Sequence, residues 1–443
     1  MGVMMQAFYW DCPGLESKDC RWWNCVKSKV SDLAITGFTS LWLPPASKAA
    51  NIGGMSMGYD PYDYYDLGEF PQKGSDRTWF GSKDELIDLI NQIHQNKMQV
   101  YADLVINHSS GGDAAEENPL DKKMRWTNFN PMSGKFKRDW KCFHPSLYER
   151  WDKETFGDMP DLCHRNPYVY SQLLECARWM IEEIGFDGFR FDCVKGYGGW
   201  MVRAIQELRG LRDNKVISPF GVGECWDSER TIQDWLDETN SWSDNTACAF
   251  DFPLRDRLLS LCHDSGFSLR ALANDGVLVS KRPLEAVTFV ENHDTARSNP
   301  VIQDKMLAYA YILTHEGYPC VFWQDYYNYG LEQKNYQSGI AALVRIHEDY
   351  AGGSTNILYA DDNLYVMQRN GYASQRGLIF VLNKRLGWNG AMVHTQWRNT
   401  NFKPMAWRGK DNLDIPDIKR SDDYGNCDLW APPRGYAVYI PEV

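Results

Sequence analysis

The sequence predicts an α/β protein: a TIM-type (β/α)8 barrel with a small domain inserted after strand 3 and an antiparallel β-domain at the C-terminal end. Three observations predict it. Eight short apolar or aromatic runs alternate with helical patterns, the order that a parallel barrel wrapped in helices requires. The stretch 107–166 is rich in Gly, Pro, Asp and aromatics and holds no sustained period, and about 60 residues are too many for a simple loop. After Ala351-Gly352-Gly353 the pattern changes to short alternating strands. The expected division is a barrel over 1–106 and 167–350, an inserted small domain over 107–166 and a β-sandwich over 351–443.

In chain order, the strand-like runs are 6–10, 39–43, 99–106, 188–194, 220–225, 247–252, 286–290 and 320–324. Helical patterns fall at 20–34, 82–96, 167–184, 200–211, 228–238, 253–262, 302–315 and 336–349. The third of these carries the helical period clearly, with Leu173, Ala177, Met180, Ile181 and Ile184 on one face. Ser82-Lys83-Asp84-Glu85 is a capping box, in which the serine and the glutamate satisfy each other's backbone N–H groups. In the last domain, strands are expected at 363–369, 377–383, 391–397 and 436–440.

The 443 residues suffice for one large core and a smaller domain. A net charge of −12 argues against a nucleic-acid partner, which calls for a basic face. No apolar run is long enough to span a membrane, and residues 1–10 carry no legible leader, so the chain reads as intracellular, or as secreted if a leader precedes it. Eighteen Trp and 24 Tyr are an excess that can belong to the core or build sugar-stacking clefts, since aromatic faces match the C–H faces of sugars. Of the twelve cysteines, Cys176, Cys193, Cys225 and Cys320 lie in apolar patterns and read as buried thiols.

Chemistry gathers where strands end. Residues 188–194 form an apolar strand interrupted by Arg190 and Asp192, and buried charges require partners. An arginine two residues from an aspartate keeps that carboxylate ionised and oriented, as a nucleophile needs, although a purely structural ion pair has the same signature. Asp103 to His108 end the third strand, Gly223-Glu224-Cys225-Trp226 the fifth, and Glu291-Asn292-His293-Asp294 the seventh. Barrel active sites are built at these ends.

Residues 103–108, 188–195, 223–226 and 289–294 resemble the four signature segments of the α-amylase family of glycoside hydrolases, and Met159-Pro160-Asp161-Leu162 resembles the fifth. Residues 57–70, the run Met4 to Trp10 and Trp42-Leu43-Pro44-Pro45 make the chain most similar to archaeal and plant-type members. The resemblance implies Asp192 as nucleophile, Glu224 as general acid/base and Asp294 as the third carboxylate, which distorts and stabilises the reacting sugar. Arg190, His108 and His293 match residues around that sugar, Tyr59 the aromatic platform beneath it, and Lys195 a contact on the leaving-group side. Trp226 and apolar neighbours beside Glu224 are expected to raise its pKa and keep it protonated. The implied activity is retaining endo-hydrolysis of α-1,4-glucans by a monomer, with transglycosylation or non-catalytic glucan binding as alternatives.

The same resemblance implies calcium held by Asn107, Asp152 and Asp161, with backbone carbonyls of Glu154 and Gly196; these are the oxygen donors that calcium prefers. Gly196 stands where histidine is commoner in the family. A zinc site of archaeal relatives is matched by His144 and Cys163, with Glu149 in place of a second histidine. Cys142 is an alternative ligand, and a Cys142–Cys163 disulfide an alternative to the metal.

Overall fold

The computed structural model describes residues 2–14, 21–51, 55–151, 154–333, 337–409 and 415–442. Asp152, Cys20 and Tyr336, which figure in the expectations above, lie outside the described residues. Eight parallel strands close a barrel in chain order: β1 (Met4–Gln6), β2 (Ser40–Leu43), β3 (Gln99–Leu104), β4 (Gly188–Phe191), β5 (Phe220–Gly223), β6 (Cys248–Phe250), β7 (Ala286–Phe289) and β8 (Tyr318–Phe322). Seven of the eight predicted runs extend one to four residues past the observed strand end. The apolar period continues there because the first loop residues at the rim are also buried, but the backbone has already left the ladder. At β4 the break is explicit: Cys193, two residues after the strand, adopts a left-handed φ of 49°.

The chain divides into two compact units. One comprises Ala7–Ala34 and Thr39–Phe250 and contains β2 to β6 with the insert. Its helix Lys83–Gln95 begins with the predicted capping box and buries Leu86, Leu89, Ile90 and Ile93. The pattern at 20–34 is split into Trp22–Lys27 and Val30–Thr36, where the Ser28 hydroxyl donates back to the Cys25 carbonyl at 2.7 Å. The pattern at 167–184 is an α-helix, Pro167–Trp179, that widens into a π-turn, Met180–Ile184, with the predicted apolar face buried. The insert contains an antiparallel hairpin, Ala114–Asn118 with Lys123–Asn128. Bridges His108 to Asp161 and Phe143 to Leu162 tie its two ends together.

The other unit contains β1, β7, β8 and everything from Asp251 onward. Its C-terminal part is antiparallel, as expected. A six-stranded sheet includes Leu364–Arg369, Leu378–Asn383, Asn401–Arg408 and Gly435–Glu442, and a second sheet pairs Asn389–His394 with Asn426–Ala431. Leu364, Val366, Ile379, Val381, Phe402, Cys427 and Leu429 form one core between them. The helix Lys305–Thr314 is buried along almost its whole length because it packs on β7, β8 and the C-terminal sheet at once. At its end His315 stacks on Tyr311 and bonds Tyr365 Oη at 3.0 Å, and burial pushes its pKa down to about 3. Among the described residues no helix is long and apolar enough to cross a membrane.

Because Glu85 also accepts from Asn24 (2.9 Å) and Arg21 Nε (2.6 Å), the capping box ties two helices together. Ser82→Ala should lower stability by about 0.5–2 kcal/mol in chemical denaturation; an unchanged midpoint would show that the cap contributes nothing.

Candidate active site

The site in the first unit begins with strand register. Asp103 on β3 lies directly opposite Arg190 on β4, so two charged side chains share one face of the ladder. Arg190 is 1% exposed. Its Nη1 bonds Asp103 Oδ1 at 2.8 Å and Asp192 Oδ1 at 2.6 Å, while Nη2 lies 2.8 Å from Glu224 Oε1. One guanidinium therefore serves three carboxylates. Burial alone would lower the pKa of Arg190, but Asp103, Glu224 and Asp192 together raise it well above its ordinary value. Burial pushes the Asp103 carboxyl upward, against the pull of Arg190 and Tyr59. Asp103 also accepts from Tyr59 Oη at 2.8 Å and Trp42 Nε1 at 3.1 Å, and Arg190 lies over the Trp42 ring at 5.2 Å.

The turns after β4 and β5 aim the other two carboxylates. Asp192 remains tied to the barrel through its N–H to the Leu104 carbonyl, at 3.2 Å. The left-handed turn at Cys193 then directs its N–H at Glu224 Oε2, at 3.1 Å. Glu224 thus has a guanidinium and an amide as partners, a polar setting in place of the apolar one expected from the sequence. Trp226, the aromatic neighbour invoked there, is 41% exposed.

The remaining predicted residues of this unit lie around that cluster. His108 is buried and its Nε2–H donates to the Tyr59 carbonyl at 2.9 Å. Burial lowers its pKa, so the ring is neutral near pH 7. Tyr59 packs on Trp10, with ring centroids 5.4 Å apart. Lys195 Nζ lies 3.3 Å from Asp227 and 3.8 Å from Glu154.

Two groups of donors could hold metals. Asn107 is fully buried and its Oδ1 has no hydrogen-bond partner. A Cβ placed on Gly196 would fall 1.9 Å from that oxygen and 2.9 Å from the Glu154 carbonyl oxygen. These oxygens converge beside the Gly196 backbone, and a histidine could not occupy position 196 without moving them. Asp161 is also buried, and its backbone bridges that of His108, the residue after Asn107. In the second group, the donor atoms of His144, Glu149 and Cys163 lie within 4.8 Å of one another. Cys142 is not among them, although it is buried and its carbonyl accepts from the Cys163 N–H at 2.8 Å. Both cysteines are free thiols. Cys176, Cys225 and Cys320 are buried as expected, whereas Cys193 is only half-buried because it sits in the turn outside the strand.

In the second unit, His293 Nδ1 pairs with Gln6 Nε2 at 2.9 Å and its Nε2 lies 3.4 Å from Asp294 Oδ2. Asn292 Oδ1 accepts from the Asp294 N–H at 3.0 Å and from the Thr295 N–H at 2.8 Å, fixing the turn that presents Asp294.

Sequence reasoning assigned no role to Asp103 or Trp42. The signal was present: Asp103 interrupts an apolar run as Arg190 does, and buried charges of opposite sign on neighbouring strands ask to be paired. A cation-bound pair of carboxylates on adjacent strand ends, with a neutral histidine and an aromatic floor, has the components for nucleophilic and acid–base cleavage of an acetal.

Comparison with known proteins agrees with this geometry. The family profile for the α-amylase catalytic domain matches residues 22–338. The α-amylase of Geobacillus stearothermophilus is 32% identical, over 98% of this chain and 87% of its own. That of Bacillus licheniformis is 31% identical, over 84% and 81%. A probable α-amylase of Arabidopsis thaliana is 30% identical, over 82% and 84%. Among solved structures, a Geobacillus thermoleovorans α-amylase complexed with acarbose superposes with a TM-score of 0.68 at 20% identity, covering 100% of this chain and 98% of that one. A three-domain cyclomaltodextrin glucanotransferase gives a TM-score of 0.69 at 18% identity, covering 100% and 99%. The chain belongs to the α-amylase family of glycoside hydrolases.

Proposed function

We propose that this protein is a retaining α-amylase that hydrolyses internal α-1,4-glucosidic bonds of starch, glycogen and related glucans, acting as a monomer. The observation that carries the reading is the Arg190 guanidinium bonded at once to Asp103, Asp192 and Glu224. Arg190 holds Asp192 as an oriented carboxylate. Its carboxylate oxygen bonds the anomeric carbon as the glucosidic C–O bond breaks, and Glu224 gives its proton to the departing oxygen. Glu224 then takes a proton from water, the water oxygen bonds the anomeric carbon, and the bond to Asp192 breaks. Two inversions give net retention. A single cation among three carboxylates leaves excess negative charge, which favours holding one proton in the cluster, as a general acid requires. Asp294 is assigned as the third carboxylate, with His108, His293, Tyr59 and Lys195 as sugar contacts, on the resemblance of their segments to the family signatures. The same steps with a sugar hydroxyl in place of water give transglycosylation, and products longer than the substrate would reveal it.

For the metals, the buried oxygens of Asn107 and Asp161 and the Glu154 and Gly196 carbonyls suit a hard cation, and we assign calcium to them, with Asp152 completing the set. Bound calcium would fix the segment of the insert that carries Glu154 and Asp161 against the barrel turn at Gly196. The nitrogen, oxygen and sulfur donors of His144, Glu149 and Cys163 suit zinc, with a fourth position to be filled by another ligand.

Glu224→Gln should lower starch turnover by about 10²–10⁴-fold while leaving the fold and glucan binding intact, since glutamine keeps the shape but lacks the proton. With the parent enzyme, NMR of the first products should show the α-anomer. Near-native turnover in the variant, or the β-anomer first, would contradict the mechanism. Elemental analysis of protein purified without chelator should find calcium near one equivalent and zinc below it. Chelation should lower the melting temperature and activity together, with recovery on adding calcium, because a ligand of the folded state adds stability by mass action. A metal-free sample that melts unchanged would rule out the calcium assignment.

A further inference from the structure

Phe156 is an apolar side chain that no hydrophobic core claims: it is 47% exposed. One face is nonetheless occupied. It stacks on the His108 imidazole with ring centroids 4.8 Å apart and planes 9° from parallel. His108 is itself buried and fixed by its bond to the Tyr59 carbonyl, so Phe156 rests on a rigid base.

The short loop bearing Phe156 is anchored on both sides. Upstream, the Glu154 carbonyl lies against Gly196 and the Glu154 carboxylate reaches Lys195 at 3.8 Å. Downstream, the Met159 N–H closes a turn on the Phe156 carbonyl at 3.3 Å, and the Ser109 N–H bonds the Pro160 carbonyl at 2.9 Å. An aromatic ring on an anchored loop, with one face against His108 and the other in water, has less conformational entropy to lose on binding, the property that makes a stacking platform effective. Its position narrows the ligand. Its ring neighbour is His108, assigned to the reacting sugar; two residues earlier in the loop, Glu154 pairs at 3.8 Å with Lys195, assigned to the leaving-group side. A glucan passing Asp192 and Glu224 presents pyranose C–H faces at that position, and an aromatic face is complementary to them.

We propose that Phe156 is a sugar-stacking, specificity-determining residue that forms the wall of the cleft contributed by the insert. This rests on the α-amylase reading. Phe156 binds glucan without taking part in bond cleavage, so its loss weakens substrate binding and shifts where along the chain the enzyme cuts.

The test compares Phe156→Ala, Phe156→Leu and Phe156→Tyr with the parent on maltoheptaose and soluble starch, with melting temperatures measured alongside. Loss of one stacking contact should raise KM for maltoheptaose about three- to tenfold in the alanine variant and alter the ratio of product lengths, with a smaller change in kcat. Tyrosine should restore both values, whereas leucine, a bulky apolar side chain without an aromatic face, should not. Equal rescue by leucine and tyrosine would make Phe156 a packing residue for His108 and overturn the proposal. So would parent-like KM and products in the alanine variant. A parent enzyme that fails to cleave either glucan would instead sink the α-amylase reading itself.

Discussion

Burying one arginine among three carboxylates is the constraint on which the site depends. The guanidinium is planar, stays charged and offers several donors in fixed directions, so it can hold Asp103, Asp192 and Glu224 at once where a lysine could not. Asp103 is the most deeply buried of the three and is further fixed by Tyr59 and Trp42. It positions the arginine, and the arginine positions the two carboxylates at the rim. The barrel supplies the register that makes this possible, placing Asp103 opposite Arg190 and ending β4 and β5 at adjacent turns.

The insert is joined to the same apparatus through few residues. Asn107 leaves β3 and bonds back to the insert through its carbonyl, which accepts from the Leu162 N–H at 2.9 Å. His108 follows directly and faces both Tyr59 and Phe156. The segment from Glu154 to Asp161 therefore carries oxygen donors, the exposed ring and the bridge to the barrel within eight residues. On the proposed assignments, fixing this segment would order the calcium ligands and the cleft wall together, so ion binding and substrate binding are expected to be coupled.

Much of this was legible in the sequence because barrel strands, covered on both faces, leave uninterrupted apolar runs. Against that background Arg190 and Asp192 are conspicuous, and the eight strands and their helices could be counted. Strand ends were less legible, since residues such as Cys193 and Val194 belong to the rim turns but carry the composition of the strand. The hairpin 114–128 was missed because most of its residues face solvent: Ala114–Asn118 carries no apolar alternation, and the alternating Met124 and Trp126 of Lys123–Asn128 cover no core. The setting of Glu224 was misjudged for a different reason: neighbours in sequence are a poor guide to neighbours in space, and Arg190, 34 positions earlier, is the one that meets it. The grouping of His144, Glu149 and Cys163 likewise depends on the bridge between Phe143 and Leu162, which no local pattern announces.

The central claim is that a single cation makes this carboxylate cluster tenable, and denaturation of Arg190→Gln as a function of pH tests it most directly. Removing one partner of a buried ionic network leaves the others unpaired, and the variant should be about 3–5 kcal/mol less stable than the parent at pH 7. Burial already raises the folded-state pKa of Asp103 above its unfolded value, and without the guanidinium it rises further. Stability lost at neutral pH is then regained as pH falls and Asp103 protonates, so the deficit should shrink steadily toward pH 5. A variant as stable as the parent at pH 7, or a deficit that grows on acidification, would contradict the account.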